Sequence, residues 1–166
     1  MIVSLNEIES TCYRAGLGAG LPHGLAEDAA ATASRLALAG KDAAGLMLRG
    51  LRQAEGFSFA TPAFVRQGDA WVAARPGLPA LVAGPMAADL EAAAHPVHLD
   101  GAVVGDEALL AEARGQAAAP VSGEAAGFEV SGDDWRELQA LAARTYVKSS
   151  ARSRLMGAGA GLRDSD

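Results

Sequence analysis

The sequence predicts a helix-rich α+β fold in a single domain covering residues 1–166, and three observations lead to this expectation. A chain of 166 residues is long enough to bury roughly 70% of the surface that it exposes when unfolded. Hydrophobic residues make up 50% of it but aromatic residues only 5%, and much of the remainder is alanine, which favours helices. Helical and extended apolar patterns alternate through the middle of the chain, with no linker between them. We expect an N-terminal helical layer, a small central sheet and a C-terminal helix with a glycine-rich tail.

Three helices are predicted in the N-terminal layer. Ser4 and Glu7 have the spacing of a capping box, in which the hydroxyl and the carboxylate each satisfy a backbone N–H group. The first helix should continue until the glycines within residues 16–20 end it. A second helix is predicted from Pro22 to Gly40, and a third from Asp42 to Gln53.

Beyond residue 55 the pattern changes to short strands between helices. Extended chain is expected among the aromatic residues of 57–65, and strands are predicted at residues 70–74, 81–82, 97–99 and 128–130. One helix is predicted to begin at Gly84, and another to cover residues 105–114. A further helix is predicted after Ser131, because Ser131 and Asp134 repeat the spacing of a capping box. Residues 115–127 are rich in alanine, proline, serine and glycine and are expected to form a loop.

Charge and composition exclude several classes of function. The net charge of −6 and the pI near 5.0 argue against a nucleic-acid partner, because phosphate binding needs a basic face. Cys12 is the only cysteine, so no internal disulfide forms and a reducing cytoplasm is the expected location. No apolar stretch reaches the roughly 18 residues of a membrane span, and the N-terminus lacks a signal peptide, so no membrane partner is expected.

The C-terminal segment carries the leading candidate site, because it combines cations, hydroxyls and alternating glycines. Arginine grips carboxylate or phosphate through two parallel hydrogen bonds, and glycine backbone adds N–H donors. On a continuous helix, the spacing of the first three cations would place them on one face. The predicted ligand-binding residues are Arg144, Lys148, Ser149, Ser150, Arg152, Arg154, Gly157, Gly159 and Gly161. Two alternatives are cations that stabilise a helix C-terminus and ion pairs with Asp164 and Asp166.

The glycine-rich stretch between the first two helices is a second candidate. It is not a dinucleotide-binding fingerprint, because a helix precedes it and Leu21 stands at the third glycine position. The N-terminus of the second helix is suited to an anion, but a tight turn between packed helices explains the same residues. Secondary candidates for binding at this turn are Tyr13, Gly18, Gly20 and His23.

Two histidines, His95 and His98, have a spacing that needs a helical turn to bring them together, and Pro96 disfavours helix there. Zinc requires a further ligand, and no spacing in the sequence selects one. We therefore predict no metal site and no cofactor. Cys12 falls on the apolar stripe of the first helix and is expected to be a small buried hydrophobic residue.

Two blocks of sequence resemble a known family. The first comprises residues 4–9 and 15–28, the second residues 141–147 and 153–166, and a looser similarity covers residues 83–89. Together they resemble the bacterial family catalogued as domain of unknown function 3726. The resemblance implies a family but no reaction and no ligand.

Three functions stay open on these residues. The first is an accessory protein that binds an anionic small molecule or a protein partner through the C-terminal segment and the glycine-rich stretch between the first two helices. The second is a small enzyme acting on a carboxylate-bearing metabolite, with Arg152 or Arg154 holding the substrate. In that enzyme a proton would be transferred by Tyr146, Ser149 or His98. The third is a homo-oligomer, such as a homodimer, formed through the alanine-rich helices.

Overall fold

The structure, a computed structural model, describes residues 1–115 and 127–146. Within these ranges the helices are α1 (Leu5–Gly18), α2 (His23–Leu38), α3 (Ala43–Ala54), α4 (Ala80–Ala92), α5 (Glu107–Ala113) and α6 (Gly132–Ala143). The strands are β1 (Ile2–Val3), β2 (Phe64–Gln67), β3 (Ala70–Ala73), β4 (Leu78–Pro79), β5 (Val97–His98), β6 (Val103–Val104) and β7 (Phe128–Glu129).

The helix-rich α+β class is confirmed, but the described strands form three small sheets instead of one central sheet. Strand β1 pairs with β7 in an antiparallel ribbon, and β4 pairs with β6 in parallel. The third sheet has the order β2-β3-β5, with β2 antiparallel and β5 parallel to β3. Of the strands with only two residues, β5 and β7 were predicted from the sequence, whereas β1, β4 and β6 were not.

Helix α1 begins as the sequence predicts. The Ser4 hydroxyl accepts from the Glu7 backbone N–H at 3.2 Å, and the Glu7 carboxylate accepts from the Ser4 backbone N–H at 2.7 Å. This backbone hydrogen bond and a second one from the Ser4 hydroxyl lower the pKa of Glu7. Ile8, Cys12 and Ala15 are buried on one side of α1, so the apolar stripe is confirmed.

The glycines of α1 do not end the helix where the sequence led us to expect. The helix continues through Gly16 and Gly18, and only Gly20, with φ of +93°, has the left-handed conformation of a helix stop. A Cβ at Gly16 would lie 3.2 Å from the Cβ of Ala26 on α2. A Cβ at Gly18 would lie 1.9 Å from the carbonyl oxygen of Leu141 on α6. These two glycines therefore let neighbouring helices approach α1 closely.

Helix α4 replaces the strand predicted at residues 81–82. It begins at Ala80, directly after Pro79, and Gly84 and Pro85 lie inside it instead of opening it. Its residues are buried nearly all round from Ala80 to Pro85, and a helix that is apolar on every side has no period to distinguish it from a buried strand.

The remaining helix predictions are confirmed with small shifts. Asp42 caps α3, and its side chain accepts from the backbone N–H of Gly45 at 3.0 Å. Asp106 caps α5 in the same way, and Ser131 caps α6. Helix α6 ends at Ala143 with Arg144 as its C-cap, so the continuous helix assumed for Arg144 and the cations after it stops at the first of them.

Helix α1 lies between α2 and α6, and the hydrophobic core forms around these contacts. Trp135, Leu138 and Leu141 of α6 are buried against it. The Met1 ammonium donates to the Val130 carbonyl at 2.8 Å, which joins the N-terminus to the segment just before α6 beside the β1–β7 ribbon. None of the helices within the described ranges has the length and apolar character needed to cross a bilayer.

A buried polar network fastens α5 to α2. The Arg35 guanidinium donates to the Glu112 carbonyl oxygen from Nε at 3.2 Å and from Nη2 at 2.9 Å. Nη2 also reaches the hydroxyl of Thr32, which donates in turn to the Asp28 carbonyl at 2.7 Å. The Glu112 side chain is 2% exposed and pairs with the Lys41 ammonium at 2.9 Å. This network supplies hydrogen-bond donors and positive charge where α5 has a glutamate on its apolar face.

Replacing Gly18 with alanine is expected to destabilise the protein by about 1–3 kcal/mol, because the new methyl group overlaps the Leu141 carbonyl and forces α6 away from α1. Urea unfolding followed by circular dichroism measures the change. Gly24→Ala is the control, since it also lies in a helix but has no atom within 4 Å of the new Cβ. Equal stability of the two variants would contradict the close contact.

Lys41→Met is expected to lower the free energy of unfolding by about 3 kcal/mol, because it leaves the buried Glu112 carboxylate without its counterion. The double variant Lys41→Met/Glu112→Leu should recover most of this loss, since two apolar side chains replace the pair. Urea unfolding of both variants measures the difference. A double variant no more stable than the single one would show that the ion pair is not the source of the loss.

Candidate functional site

The turn between α1 and α2 brings polar side chains together. The Tyr13 hydroxyl lies 2.9 Å from Nδ1 of His23, so the phenol and the imidazole are hydrogen-bonded across the turn. Tyr13 is half-buried and His23 is exposed. Helix α1 supplies Tyr13 from its third turn, and His23 is the first residue of α2, so the close packing of the two helices sets this distance.

The start of the C-terminal segment lies at the same end of α1. The Arg14 guanidinium donates to the Tyr146 hydroxyl at 3.0 Å, and Arg144 forms an ion pair with Glu55 after α3. These contacts, together with the packing of Leu141 on Gly18, fix residues 144–146 next to the turn. We call Tyr13, Arg14, His23 and Tyr146 the turn cluster.

The N-terminus of α2 adds backbone donors to the turn cluster. The first backbone N–H groups of any helix have no partner inside it, and they carry a partial positive charge. The N-cap here is Pro22, whose side chain makes no capping hydrogen bond. No atom of the described residues lies within 4 Å of the position that a Cβ would occupy at Gly24. The end of α2 is thus accessible to a ligand.

A groove with a volume of ≈ 260 Å³ lies on the other side of Tyr13, between α1 and α2. Its lining carries two carboxylates, an amide and two hydroxyls, from Asn6, Glu9, Ser10, Tyr13 and Glu27, and Ala30 forms its floor. The negative potential of Glu9 and Glu27 makes this groove unfavourable for an anion.

The predicted residues of the C-terminal segment divide into two groups. Arg144 is described, and Glu55 neutralises its charge. The other eight predicted residues lie outside the part of the chain that the structure describes: Lys148, Ser149, Ser150, Arg152, Arg154, Gly157, Gly159 and Gly161. Of the secondary candidates, the structure brings Tyr13, His23 and Tyr146 to the turn. Gly18 contacts α6, and Gly20 forms the left-handed end of α1.

The structure does not bring His98 to the turn cluster. His98 is exposed on β5, which pairs with β3 and packs against α4, and among the described residues it has no hydrogen bond to the cluster. His95 follows α4, and its ring centre lies 6.3 Å from that of Trp71. Within residues 1–115 and 127–146, no three His, Cys, Asp or Glu side chains are grouped closely enough to hold a metal ion.

Cys12 is buried in α1 with 1% of its surface exposed. Burial raises the pKa of its thiol from 9.0 to about 12, because the apolar surroundings disfavour the thiolate. The nucleophilic form is therefore scarce at any physiological pH, and Cys12 contributes packing rather than chemistry.

Native protein is expected to leave Cys12 unmodified by a disulfide reagent such as Ellman's reagent at pH 8, whereas protein in urea should react with one thiol per chain. The reason is the low thiolate fraction together with the closed core around α1. Absorbance of the released thiolate measures both rates. Rapid reaction of the native protein would mean that α1 opens readily.

Sequence reasoning missed three residues that the structure makes prominent. Arg14 follows Tyr13 directly but was not associated with Tyr146, because no pattern links residues 132 positions apart. Glu112 lies with Leu109 and Ala113 on the buried face of α5. Its position on an apolar stripe could therefore have been used to predict a buried glutamate with a partner. Its partner Lys41 carried no such signal.

Comparison with known proteins identifies a family for part of this chain. The model of a family described as "Protein of unknown function (DUF3726)" matches residues 3–74, less than half of the chain. No curated protein and no solved structure matches the chain. The matched range contains the N-terminal block of the resemblance, three residues of the turn cluster and Lys41. The blocks at residues 83–89 and 141–166 lie outside it. Residues 3–74 are thus similar to the DUF3726 family of proteins of unknown function.

Proposed function

We propose that this protein binds the anionic group of a small molecule at the turn cluster, and that the C-terminal segment forms the second wall of the site. The observation that carries the proposal is the hydrogen bond from Arg14 to Tyr146. Tyr146 is the last described residue before residues 147–166, which carry Lys148, Arg152 and Arg154.

The groups at the turn support an anion. Arg14 contributes a full positive charge, and the first turn of α2 contributes backbone N–H groups and the positive end of its dipole. Tyr13 and Tyr146 supply hydroxyls that donate or accept hydrogen bonds. The groove beside Tyr13 is lined by Glu9 and Glu27, so we expect an anion to bind near Arg14 and His23 and not in that groove.

A panel of carboxylates and phosphates in a thermal shift assay tests the proposal. A ligand present at about 100 times its Kd stabilises the folded state by about 2.7 kcal/mol, which is readily detected as a higher Tm. Arg14→Ala should weaken binding about tenfold, the loss of about 1.4 kcal/mol of charge-assisted hydrogen bonding. Arg66→Ala is the matched control, because Arg66 is an exposed arginine on β2 whose guanidinium contacts only the Gly68 carbonyl among described residues.

Removal of residues 157–166 tests whether this segment binds a ligand or only packs against the core. The proposal expects binding to be lost while the Tm without ligand stays nearly unchanged. Unfolding or aggregation of the truncated protein would contradict it, since the segment would then be part of the core. If no anion raises the Tm of a monodisperse protein, the site does not bind small anions. Binding of a protein partner would then be the better explanation of the C-terminal segment.

The hydrogen bond between Tyr13 and His23 favours a second candidate function, a small enzyme acting on a carboxylate-bearing metabolite. A phenol and an imidazole in contact can exchange a proton, and an exposed imidazole is able to pass it to a substrate. In this mechanism His23 transfers the proton, the role for which the sequence analysis considered Tyr146, Ser149 or His98. Tyr13→Phe discriminates between the two functions. An enzyme would lose turnover while still binding its ligand, whereas a binding protein would show only a modest change in affinity.

The proposal also includes a single domain, a cytoplasmic location and a possible homodimer. One hydrophobic cluster extends from Val3 to Ala142 and supports a single domain covering residues 1–166. The single cysteine supports a location in a reducing cytoplasm. A homodimer formed through the alanine-rich helices predicts a mass that rises with concentration in light scattering, and a constant monomer mass would exclude it.

A further inference from the structure

The turn between β5 and β6 presents an aspartate followed by a glycine to solvent. The Ala102 backbone N–H donates to the Leu99 carbonyl at 2.8 Å, so Asp100 and Gly101 occupy the two central positions of a tight turn. Gly101 has a φ of +64°, the left-handed conformation that glycine adopts without steric cost. Both central residues are exposed, and the sequence has no other aspartate followed by glycine.

An aspartate that precedes glycine is chemically unstable when its surroundings leave it free to react. Its carboxyl carbon lies within reach of the next backbone nitrogen, and ring closure between the two atoms gives a succinimide. A Cβ on the following residue crowds the attacking nitrogen, and glycine has none. A folded protein prevents the reaction when a hydrogen bond holds either the carboxylate or the amide N–H.

Neither of these hydrogen bonds forms at Asp100 among the described residues. Its carboxylate has no donor and no ion-pair partner there, and the Gly101 N–H has no acceptor. No described atom lies within 4 Å of the position that a Cβ would occupy at Gly101. Asp106, nearby in the chain, shows the opposite case, because its carboxylate caps α5 and accepts from the Ala108 N–H at 2.8 Å.

Asp69 is a matched aspartate in the same chain. It is also exposed, in the tight turn between β2 and β3, but the residue after it is Ala70. Ala70 carries a Cβ and pairs with Gln67 at the end of the β2–β3 ladder. Ring closure at Asp69 is therefore hindered by the methyl group and by the paired backbone of the strand.

We propose that Asp100 is a site of spontaneous backbone modification, at which the pair Asp100–Gly101 converts through a succinimide to isoaspartate. The Gly101 nitrogen bonds to Cγ of the protonated Asp100 carboxyl group, and the carboxyl hydroxyl leaves with the amide proton as water. A second water molecule then hydrolyses the ring. Attack at Cγ restores aspartate, whereas attack at the backbone carbonyl carbon leaves the chain running through Cβ and Cγ. Water is the only co-reactant, and no electron is transferred.

Isoaspartate would lengthen the backbone of this turn by one carbon atom. The Ala102 carbonyl beside the turn accepts from the Leu78 N–H at 2.9 Å, and Leu78 is paired with Val103 in the β4–β6 ribbon. Leu78 is 0% exposed, and α4 begins just after it at Ala80. We therefore expect the modification to disturb the β4–β6 ribbon and to lower the stability of the aged protein. This inference is independent of the function proposed for the turn cluster.

Incubation of the purified full chain in neutral buffer for several weeks tests the proposal. Electron-based fragmentation in tandem mass spectrometry distinguishes isoaspartate from aspartate, because it cleaves the additional Cα–Cβ bond of the backbone. Isoaspartate should accumulate at Asp100 and not at Asp69. Its absence from Asp100 in the folded protein would overturn the proposal. Equal accumulation at both residues would overturn the argument that this turn selects the site.

Asp100→Glu and Asp69→Glu are matched variants, since each keeps the charge but requires a larger ring, which closes far more slowly. Circular dichroism before incubation confirms that both are folded. The aged wild-type protein and aged Asp69→Glu should each lose stability in urea unfolding, whereas aged Asp100→Glu should keep the midpoint of the fresh protein. The same loss in aged Asp100→Glu would place the damage elsewhere and refute the inferred effect on β4 and β6.

Discussion

Close approach of α2 and α6 to α1 is the constraint on which the rest of the structure depends. Gly16 allows α2 to pack against α1 through Ala26, and Gly18 allows α6 to pack through the backbone of Leu141. Dispersion contacts fall off steeply with distance, so helices rich in alanine must approach closely to gain them. The same approach sets the Tyr13–His23 distance and brings Tyr146 to Arg14, so the packing of the core and the geometry of the turn cluster have one origin.

Long polar side chains complement this alanine-rich packing between α2 and α5. Alanine buries little area, so α5, only seven residues long, gains limited stability from apolar contact alone. Arg35 compensates by binding the Glu112 carbonyl, and Lys41 by neutralising the carboxylate of the same residue. The network orients α5 specifically, because hydrogen bonds and ion pairs depend on direction whereas apolar contact does not.

Local chemistry was predictable from the sequence, and long-range pairing was not. Ser4 and Glu7 identified the start of α1, and Asp42 the start of α3, because a cap involves residues only a few positions apart. The strand expected at residues 81–82 is helical, since packing and not periodicity decides the state of a fully buried segment. At the site, Tyr13 and His23 were candidates for their chemistry, but the contact of Arg14 with Tyr146 depends on how α6 docks, which no local pattern encodes.

The pairing of β1 with β7 has a consequence for how the chain is made. Met1 contacts Val130 across 129 positions, and the side of α1 that faces α6 is covered only when α6 docks on it. Ribosomes add about 5–20 residues each second, so the first helix emerges on the order of ten seconds before its last neighbour. During that interval its stripe is exposed to other nascent chains and to chaperones. Packing around α1 is therefore completed late in synthesis, when β7 and α6 become available to β1 and α1.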